Sequence, residues 1–282
     1  MQMLTMRLDR LHLQHWIWNY QLGYAVHPKI DVDVGTPLKI ADVACGNAAW
    51  LLDVSRIHPQ HEYHGLDITA AHFPAAGWLP PNVHLETWDV FTSVPEAFTG
   101  TFDIVHIRTI ASAIIENNVG PVLQNLLRML KPGGYLQWDE NDASTLAARA
   151  LPGEASGAAG SMQTMVALQA MFAKGQSKLL FDWLHVLPSS LKHQSCEVVA
   201  HEFVPRRPEL SRAWSDNMLT VWMGIIPKLP EQEMPLPPIP GLPKGISRRS
   251  FAELVRACAE ESAKGVSIDM EQVVVVARKA ME

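Results

Sequence analysis

The stretch that most constrains how this chain can fold is Leu38 to Leu52, LKIADVACGNAAWLL. Leu38-Lys39-Ile40-Ala41-Asp42 reads as a short apolar strand, Val43-Ala44-Cys45-Gly46-Asn47-Ala48 as a turn of small residues, and Trp50, Leu51 and Leu52 as the start of a helix. Small residues let the backbone pass close to a ligand, and the helix start offers free N–H groups to an anionic part of it. Any strand that turns through small residues into a helix has this form, so the weight falls on what stands at fixed distances downstream.

A second strand, within His61 to Thr69, carries Asp67, which follows Gly46 by 21 positions. In nucleotide-binding α/β sheets a carboxylate about 20 residues after the glycine turn takes the ribose hydroxyls. Val83 to Val90 reads as a third strand with Asp89 at its end, and Thr101 to Arg108 as a fourth. Gly120 to Leu130 is an amphipathic helix opened by Pro121, with Val122, Leu123, Leu126, Leu127 and Leu130 as its buried face. Lys131-Pro132-Gly133-Gly134 is read as a C-cap and turn, with Tyr135 to Glu140 as the fifth strand. This alternation predicts a parallel sheet with helices on both faces.

Ahead of the first strand, residues 4 to 24 have a helical stripe of Leu4, Leu8, Leu11, His15, Trp18 and Leu22, with His12, Trp16, Asn19 and Tyr20 on an adjoining face. The helix should stop before Pro28. It either roofs a pocket or is an ordinary core helix. Downstream, residues 141 to 160 are rich in Ala, Gly and Ser and are expected to form a mobile insertion. Met162 to Lys174, Leu210 to Met223 and Phe251 to Ser262 read as helices; Ser195 to Phe203 alternates like a strand, and Glu271 to Arg278 reads as a fully buried one. Pro227 to Pro243 holds seven prolines, whose PxxP spacings suit either a partner domain or a rigid loop beside a site.

With 23 Lys plus Arg against 29 Asp plus Glu, a net charge of −6 leaves no electrostatic footprint for a nucleic acid. The three cysteines, Cys45, Cys196 and Cys258, lie far apart with no CxxC or HxxxH pairing, so neither zinc nor a disulfide framework is expected, and a reducing, cytoplasmic setting is the simplest reading. No stretch reaches the ~18 apolar residues of a membrane span, and the N-terminus meets Arg7, Asp9 and Arg10 too soon for a signal peptide. The oligomeric state is open, a homo-oligomer included.

The glycine turn, Asp67, Asp89, FDIVHIR and LKPGGYL, in that order, together resemble the class I S-adenosylmethionine-dependent methyltransferases. The wording HLQHWIWNYQLGYAVHP, HGLDIT, WLPPNVHLETWDV, FDIVHIR and LKPGGYLQWDE is similar to a fungal, methyltransferase-like group of secondary metabolism, over about residues 10 to 142. The resemblance implies a Rossmann-like, mostly parallel seven-stranded sheet. It implies a single domain over 1–282: a helical lid (1–30), a cofactor core (36–142), acceptor-site helices with strand six and the proline-rich loop (143–270), and the last strand (271–282). S-adenosyl-L-methionine would be the cofactor. Ala44, Gly46 and Asn47 would meet its methionine part, Asp67 with Ile68 the ribose, Asp89 with Val90 the adenine, and Tyr20 would reach in from the lid. Arg108 would bind the cofactor carboxylate or an acidic substrate, or else pair with Asp103 or Asp139. The family's three glycine places here hold Ala44, Gly46 and Ala48, and the Ala48 Cβ narrows the approach, so cofactor binding is expected to persist, weakened.

Methyl transfer is an in-line displacement in which positioning supplies much of the acceleration, and a base matters when the acceptor is a weakly acidic hydroxyl. His106 near the end of the fourth strand and Glu140 at the end of the fifth are the candidates, with His12 and His15 as competitors; a strand histidine can equally be a hydrogen-bonded core residue. Nine tryptophans and twelve methionines suit a large apolar small-molecule acceptor, framed by His12, Trp16, Trp138, Trp214, Met218 and Trp222, each of which also reads as core. The expected activity is methylation of a hydroxyl, or of an amine or thiol, of a secondary metabolite. The competing readings are a methyltransferase-fold pericyclase or cyclase that binds the cofactor without methylating, and a regulatory, partner-binding protein.

Overall fold

The apolar runs become strands of one sheet in the computed structural model, which describes residues 2–151, 160–175, 182–239 and 242–281. The strands are β1 Lys39–Val43, β2 Glu62–Asp67, β3 Val83–Thr87, β4 Phe102–Arg108, β5 Leu130–Asn141, β6 Cys196–Val204 and β7 Gln272–Lys279. Their order across the sheet is β3-β2-β1-β4-β5-β7-β6. β7 runs antiparallel to both its neighbours and every other pair is parallel. The mostly parallel seven-stranded sheet expected from the sequence is therefore what forms. β1 and β7 read as near-continuous apolar runs because both faces of the sheet are covered.

Alternation along the strands sorts the side chains between those faces. Ala41, Val43, Val105, Ile107, Leu136, Trp138, Val273 and Val275 pack with helices α3, Gly120–Met129, and α5, Asp182–His193. Ile40, Ile104, Val274 and Val276 pack with Trp50, Leu51 and Val54 of α2, Ala49–Ile57. The sheet and these helices make one compact unit, residues 22–142, 179–204 and 272–282. Because β1 to β4 are parallel, their carboxyl ends share one edge, and strand order reverses between β1 and β4. Open α/β sheets bind ligands at that reversal.

The second unit comprises residues 1–21, 143–178 and 205–271. It holds most of helix α1, Gln2–Leu22, with α4, Gly160–Gly175, α6, Ser211–Ile225, and α7, Arg248–Ala263. Its core gathers Ile17, Met162, Met165, Leu168, Trp214, Leu219, Trp222, Phe251 and Val255. The buried face of α1 is Gln14, Ile17, Trp18 and Gln21, offset from the stripe read in the sequence. Gln21 is buried because the chain near Pro205 satisfies it: its Nε2 donates to the Pro205 carbonyl at 2.7 Å and its Oε1 accepts the Arg207 N–H at 3.0 Å.

Two local readings are corrected. Lys131 to Gly134 is not a C-cap and turn: α3 passes directly into β5, and these residues bulge the strand against β4, with Gly133 left-handed at φ 75°. Within the insertion, Ala147–Arg149 forms a strand with Ser267–Asp269, and residues 152–159 lie outside the described residues.

Candidate functional site

Every glycine place in the turn after β1 adopts the left-handed conformation, at φ 56° for Ala44, 58° for Gly46 and 57° for Ala48. For the alanines this costs roughly 1–2 kcal/mol each, since a Cβ crowds the backbone there. The turn keeps its glycine geometry without its glycines. Ala48 is the cap of α2 and supplies no side-chain acceptor to the first N–H groups of that helix.

Across the turn, the Asp67 carboxylate at the end of β2 accepts the Gly46 N–H at 2.9 Å and, through its other oxygen, the Thr69 N–H at 3.1 Å. Two residues 21 positions apart, expected to share a site, thus meet directly. Asn47 accepts the Ala49 N–H through Oδ1, while its buried Nδ2 has no partner among the described residues. Ile68 beyond β2 is 70% exposed. Asp89 lies past the end of β3, where it accepts the Phe91 N–H at 3.0 Å, and Val90 is buried against the sheet. Aligned strand ends therefore set Ala44, Gly46, Asn47, Asp67, Ile68 and Asp89 along one edge. Tyr20 belongs to the other unit, where it is about half exposed with the Arg207 guanidinium 6.0 Å from its ring. Neither of two cavities in the sheet unit, about 400 and 750 Å³, is lined by a candidate residue.

His106 is buried, with Nδ1 2.7 Å from Asp42 Oδ1 and Nε2 3.2 Å from Asp139 Oδ2. Burial alone would strip its proton, but the two carboxylates outweigh that and raise its pKa above the ordinary histidine range. Each ring nitrogen already faces a carboxylate within the sheet, so the geometry favours the hydrogen-bonded core reading of His106 over the general-base one. Glu140 is also engaged: its oxygens accept the Ala111 N–H at 2.9 Å and the Asn141 N–H at 3.0 Å. Burial pushes its carboxyl up to about 7, against the pull of the backbone N–H groups of Asn141, Ala111 and Ile110. It latches the turn after β4. Of the competing bases, His12 is exposed and His15 half-buried beside Asn19.

Arg108 stands opposite Asp139 in the sheet register, and burial lowers its pKa while Asp139 and Asp42 pull it up. Asp103, the other partner considered, takes Lys131 Nζ at 2.7 and 2.8 Å and the Lys39 N–H at 2.8 Å. Of the acceptor-site candidates, Trp138 packs against Trp183 under α5, ring centroids 5.3 Å apart. Trp214 and Trp222 fill the core of the second unit with Met218 at its margin, and Trp16 is exposed beside Tyr20.

The reading of the sequence missed Thr109, a β-branched residue left-handed at φ 54° at the exit of β4, and the contact partners of His106. Their signal was present as polar residues, Asp42, His106, Gln137 and Asp139, inside otherwise apolar strands. Among the described residues no group of three or more His, Cys, Asp or Glu side chains could hold a metal.

Comparison with known proteins agrees with this geometry. A family model described as a methyltransferase domain matches residues 41–136, from β1 into β5. Residues 41–136 are thus similar to a methyltransferase domain. Among relatives of that segment, methyltransferase grgD of a Penicillium species is 39% identical over 126 residues, 42% of this chain and 44% of its own. N-methyltransferase verN of Clonostachys rogersoniana is 35% identical over 132 residues, 46% and 45% of the two chains. The matched part thus spans under half the length of these curated relatives. A solved phosphoethanolamine N-methyltransferase 2 of Haemonchus contortus, in complex with phosphomonomethylethanolamine and S-adenosylhomocysteine, overlays on 93% of this chain and 53% of its own. Its TM-score of 0.52 at 14% identity bears on the methyltransferase fold alone. No helix among the described residues is long and apolar enough to cross a membrane.

Proposed function

We propose that the protein transfers the methyl group of S-adenosyl-L-methionine to a small molecule of fungal secondary metabolism, with a nitrogen as the acceptor atom. The observation that carries the reading is the meeting of the left-handed Ala44-Gly46-Ala48 turn with the Asp67 carboxylate, 2.9 Å from the Gly46 N–H, at the reversal of strand order. The residues suit an adenosyl cofactor. The turn and Asn47 Nδ2 offer donors for an amino-acid carboxylate, Asp67 has oxygen lone pairs left for ribose hydroxyls, and Ile68 and Asp89 offer an apolar face and an acceptor for adenine. The cofactor supplies an electrophilic methyl on a sulfonium, and the chain supplies orientation.

The preference for nitrogen over a hydroxyl rests on His106 and Glu140, whose polar atoms are engaged. A neutral amine brings its own lone pair and needs no such base. One relative is itself named an N-methyltransferase.

The test incubates the full chain with methyl-labelled S-adenosylmethionine and fungal extract. Label in an amine-bearing small molecule is the expected result; cofactor binding without label favours the non-methylating reading; no binding at millimolar cofactor removes both. Asp67→Ala should weaken cofactor binding by about ten-fold or more, as loss of a charge-assisted ribose contact and of the Gly46 brace. Unchanged affinity would show that the ribose lies elsewhere.

A further inference from the structure

Carboxylates only accept hydrogen bonds, and a neutral imidazole has a single N–H to give. His106 faces Asp42 Oδ1 with one ring nitrogen and Asp139 Oδ2 with the other, at 2.7 and 3.2 Å, in a site closed to solvent. Two acceptors at opposite edges of one ring call for two N–H groups. We propose that His106 is a positioning residue for the donor site: a buried imidazolium whose charge lets Asp42 and Asp139 stand together behind the glycine turn, and so holds β1, β4, β5 and α2 in the arrangement that binds the adenosyl cofactor. This rests on reading that turn as the cofactor site.

The ring, carried on β4, touches β1, β5 and α2. Asp42 lies on β1, two residues before Ala44, the first left-handed residue of the turn. The Asp139 backbone carbonyl accepts the Thr109 N–H at 3.0 Å, so β5 braces the left-handed exit of β4. On its open face the ring stacks on Trp50 of α2, centroids 3.8 Å apart and planes within 8°, where a cation gains from the indole π-face. Trp50 Nε1 donates to the Ala25 carbonyl at 2.9 Å; Gln137 Nε2 donates to the same oxygen at 3.1 Å and also to both Asp139 oxygens. The segment before β1 is thereby tied to the same ring.

The charged groups facing this cluster are Asp42 from β1, Asp139 from β5 and Arg108 from β4, with Glu202 of β6 further out beside Tyr24 and His27. Cys45 in the turn is a buried thiol, held protonated by burial and by Asp42 and Asp67. With the imidazolium present, Asp42 and Asp139 each have a cation in contact. Without it, Arg108 is the one cation left near two carboxylates that share a dry site across an uncharged ring, and such an under-compensated pair relaxes by moving apart or by taking a proton. Either change shifts β1 against β5 at the root of the turn. Cofactor affinity should then fall as pH rises past the ring's titration.

The experiment uses the full chain. With ¹⁵N-labelled histidine, both His106 ring nitrogens should show imidazolium shifts at about pH 7.5, well above the free histidine range. S-adenosylhomocysteine affinity measured by calorimetry should fall along the same alkaline titration. His106→Phe, which keeps a ring on Trp50 but neither donor, should lower that affinity about ten-fold or more. Adding Asp139→Asn should regain part of the loss, because one of the two opposed charges is gone. A purely space-filling ring predicts no regain. A neutral imidazole at that pH, or unchanged affinity in His106→Phe, overturns the proposal. If His106→Phe does not fold, the ring titration and the pH dependence of wild-type binding decide alone. If the wild-type chain binds no S-adenosylhomocysteine while the ring still titrates as an imidazolium, the cofactor-site reading has failed, and the proposed role goes with it.

Discussion

Ala48 carries backbone strain at a position where its effect on cofactor binding can be tested. Its left-handed backbone is where glycine costs least, and its Cβ is wholly buried at the start of α2. Ala48→Gly should change stability by less than about 1 kcal/mol, since the relieved strain is offset by the entropy of the freer unfolded chain. It should also tighten binding of S-adenosylhomocysteine, because the approach to the α2 N–H groups widens. Thermal denaturation and calorimetry on one preparation separate the two effects; an affinity left where it was would mean that this Cβ does not face the ligand. Glu140 gives a pH signature of definite sign. Its carboxyl titrates near 7 in the folded chain against an ordinary 4.5, so between those values the folded state holds a proton that the unfolded state has released. Its contribution is full below that window and is lost as pH rises through it, by up to about 3 kcal/mol. Glu140→Gln keeps an acceptor for the Ala111 N–H and cannot ionise, so urea denaturation across this window should show a flatter pH dependence than wild type. An identical slope would place the titration on another group.

At the scale of elements, the β4–β5 junction depends on two glycines that make the bulge. A Cβ on Gly134 would lie 3.0 Å from the Asp103 carbonyl and 3.1 Å from that of Lys131, both backbone atoms with little room to move. Gly134→Val should therefore destabilise the chain by about 1–3 kcal/mol, read as a lower urea midpoint at unchanged slope. The sequence pattern pointed to a turn here because Pro-Gly-Gly usually ends an element, and only the pairing of Leu130 with Phe102 reveals a strand already under way. Most other elements were legible: apolar runs, alternation and the acidic residues near strand ends found all seven strands, and the apolar pattern found all the long helices except α5. That one was hidden by Pro188, which sits inside it and suggests a break. Legibility of the site followed the same logic. Gly46 and Asp67 were readable because a turn and a strand end at a set spacing belong to one βα unit. The role of His106 was not, because it depends on partners 64 and 33 positions away that only the sheet register brings to it. The tryptophans misled for a related reason: composition says how much aromatic surface there is, and packing alone says whether it faces a core, as it does for Trp138, Trp214 and Trp222.

At the scale of the molecule, each of the two units is assembled from three separated stretches of chain. The segment matched as a methyltransferase domain, 41–136, ends within β5 and contains neither of the strands beyond it nor α5. A fragment of residues 36–142 would expose the β5 edge from Tyr135 to Asn141, where β7 pairs, and would uncover Trp138 where Trp183 packs. It should give the poorly dispersed amide spectrum of an unfolded or molten chain; sharp, dispersed signals would show that the sheet stands without its last strands. The position of β7 has a further consequence for how the sheet is made. β5 and β6 leave the ribosome before the strand that separates them, and both are parallel to each other, so nothing in strand direction forbids their pairing early. Val274 of β7 sits between Asp139 on one side and Glu202 on the other. Closing that gap would set the two acids side by side, a cross-strand like-charge pair that disfavours the premature sheet. In that register a premature β5–β6 sheet would carry a repulsion at Asp139 that the finished sheet does not.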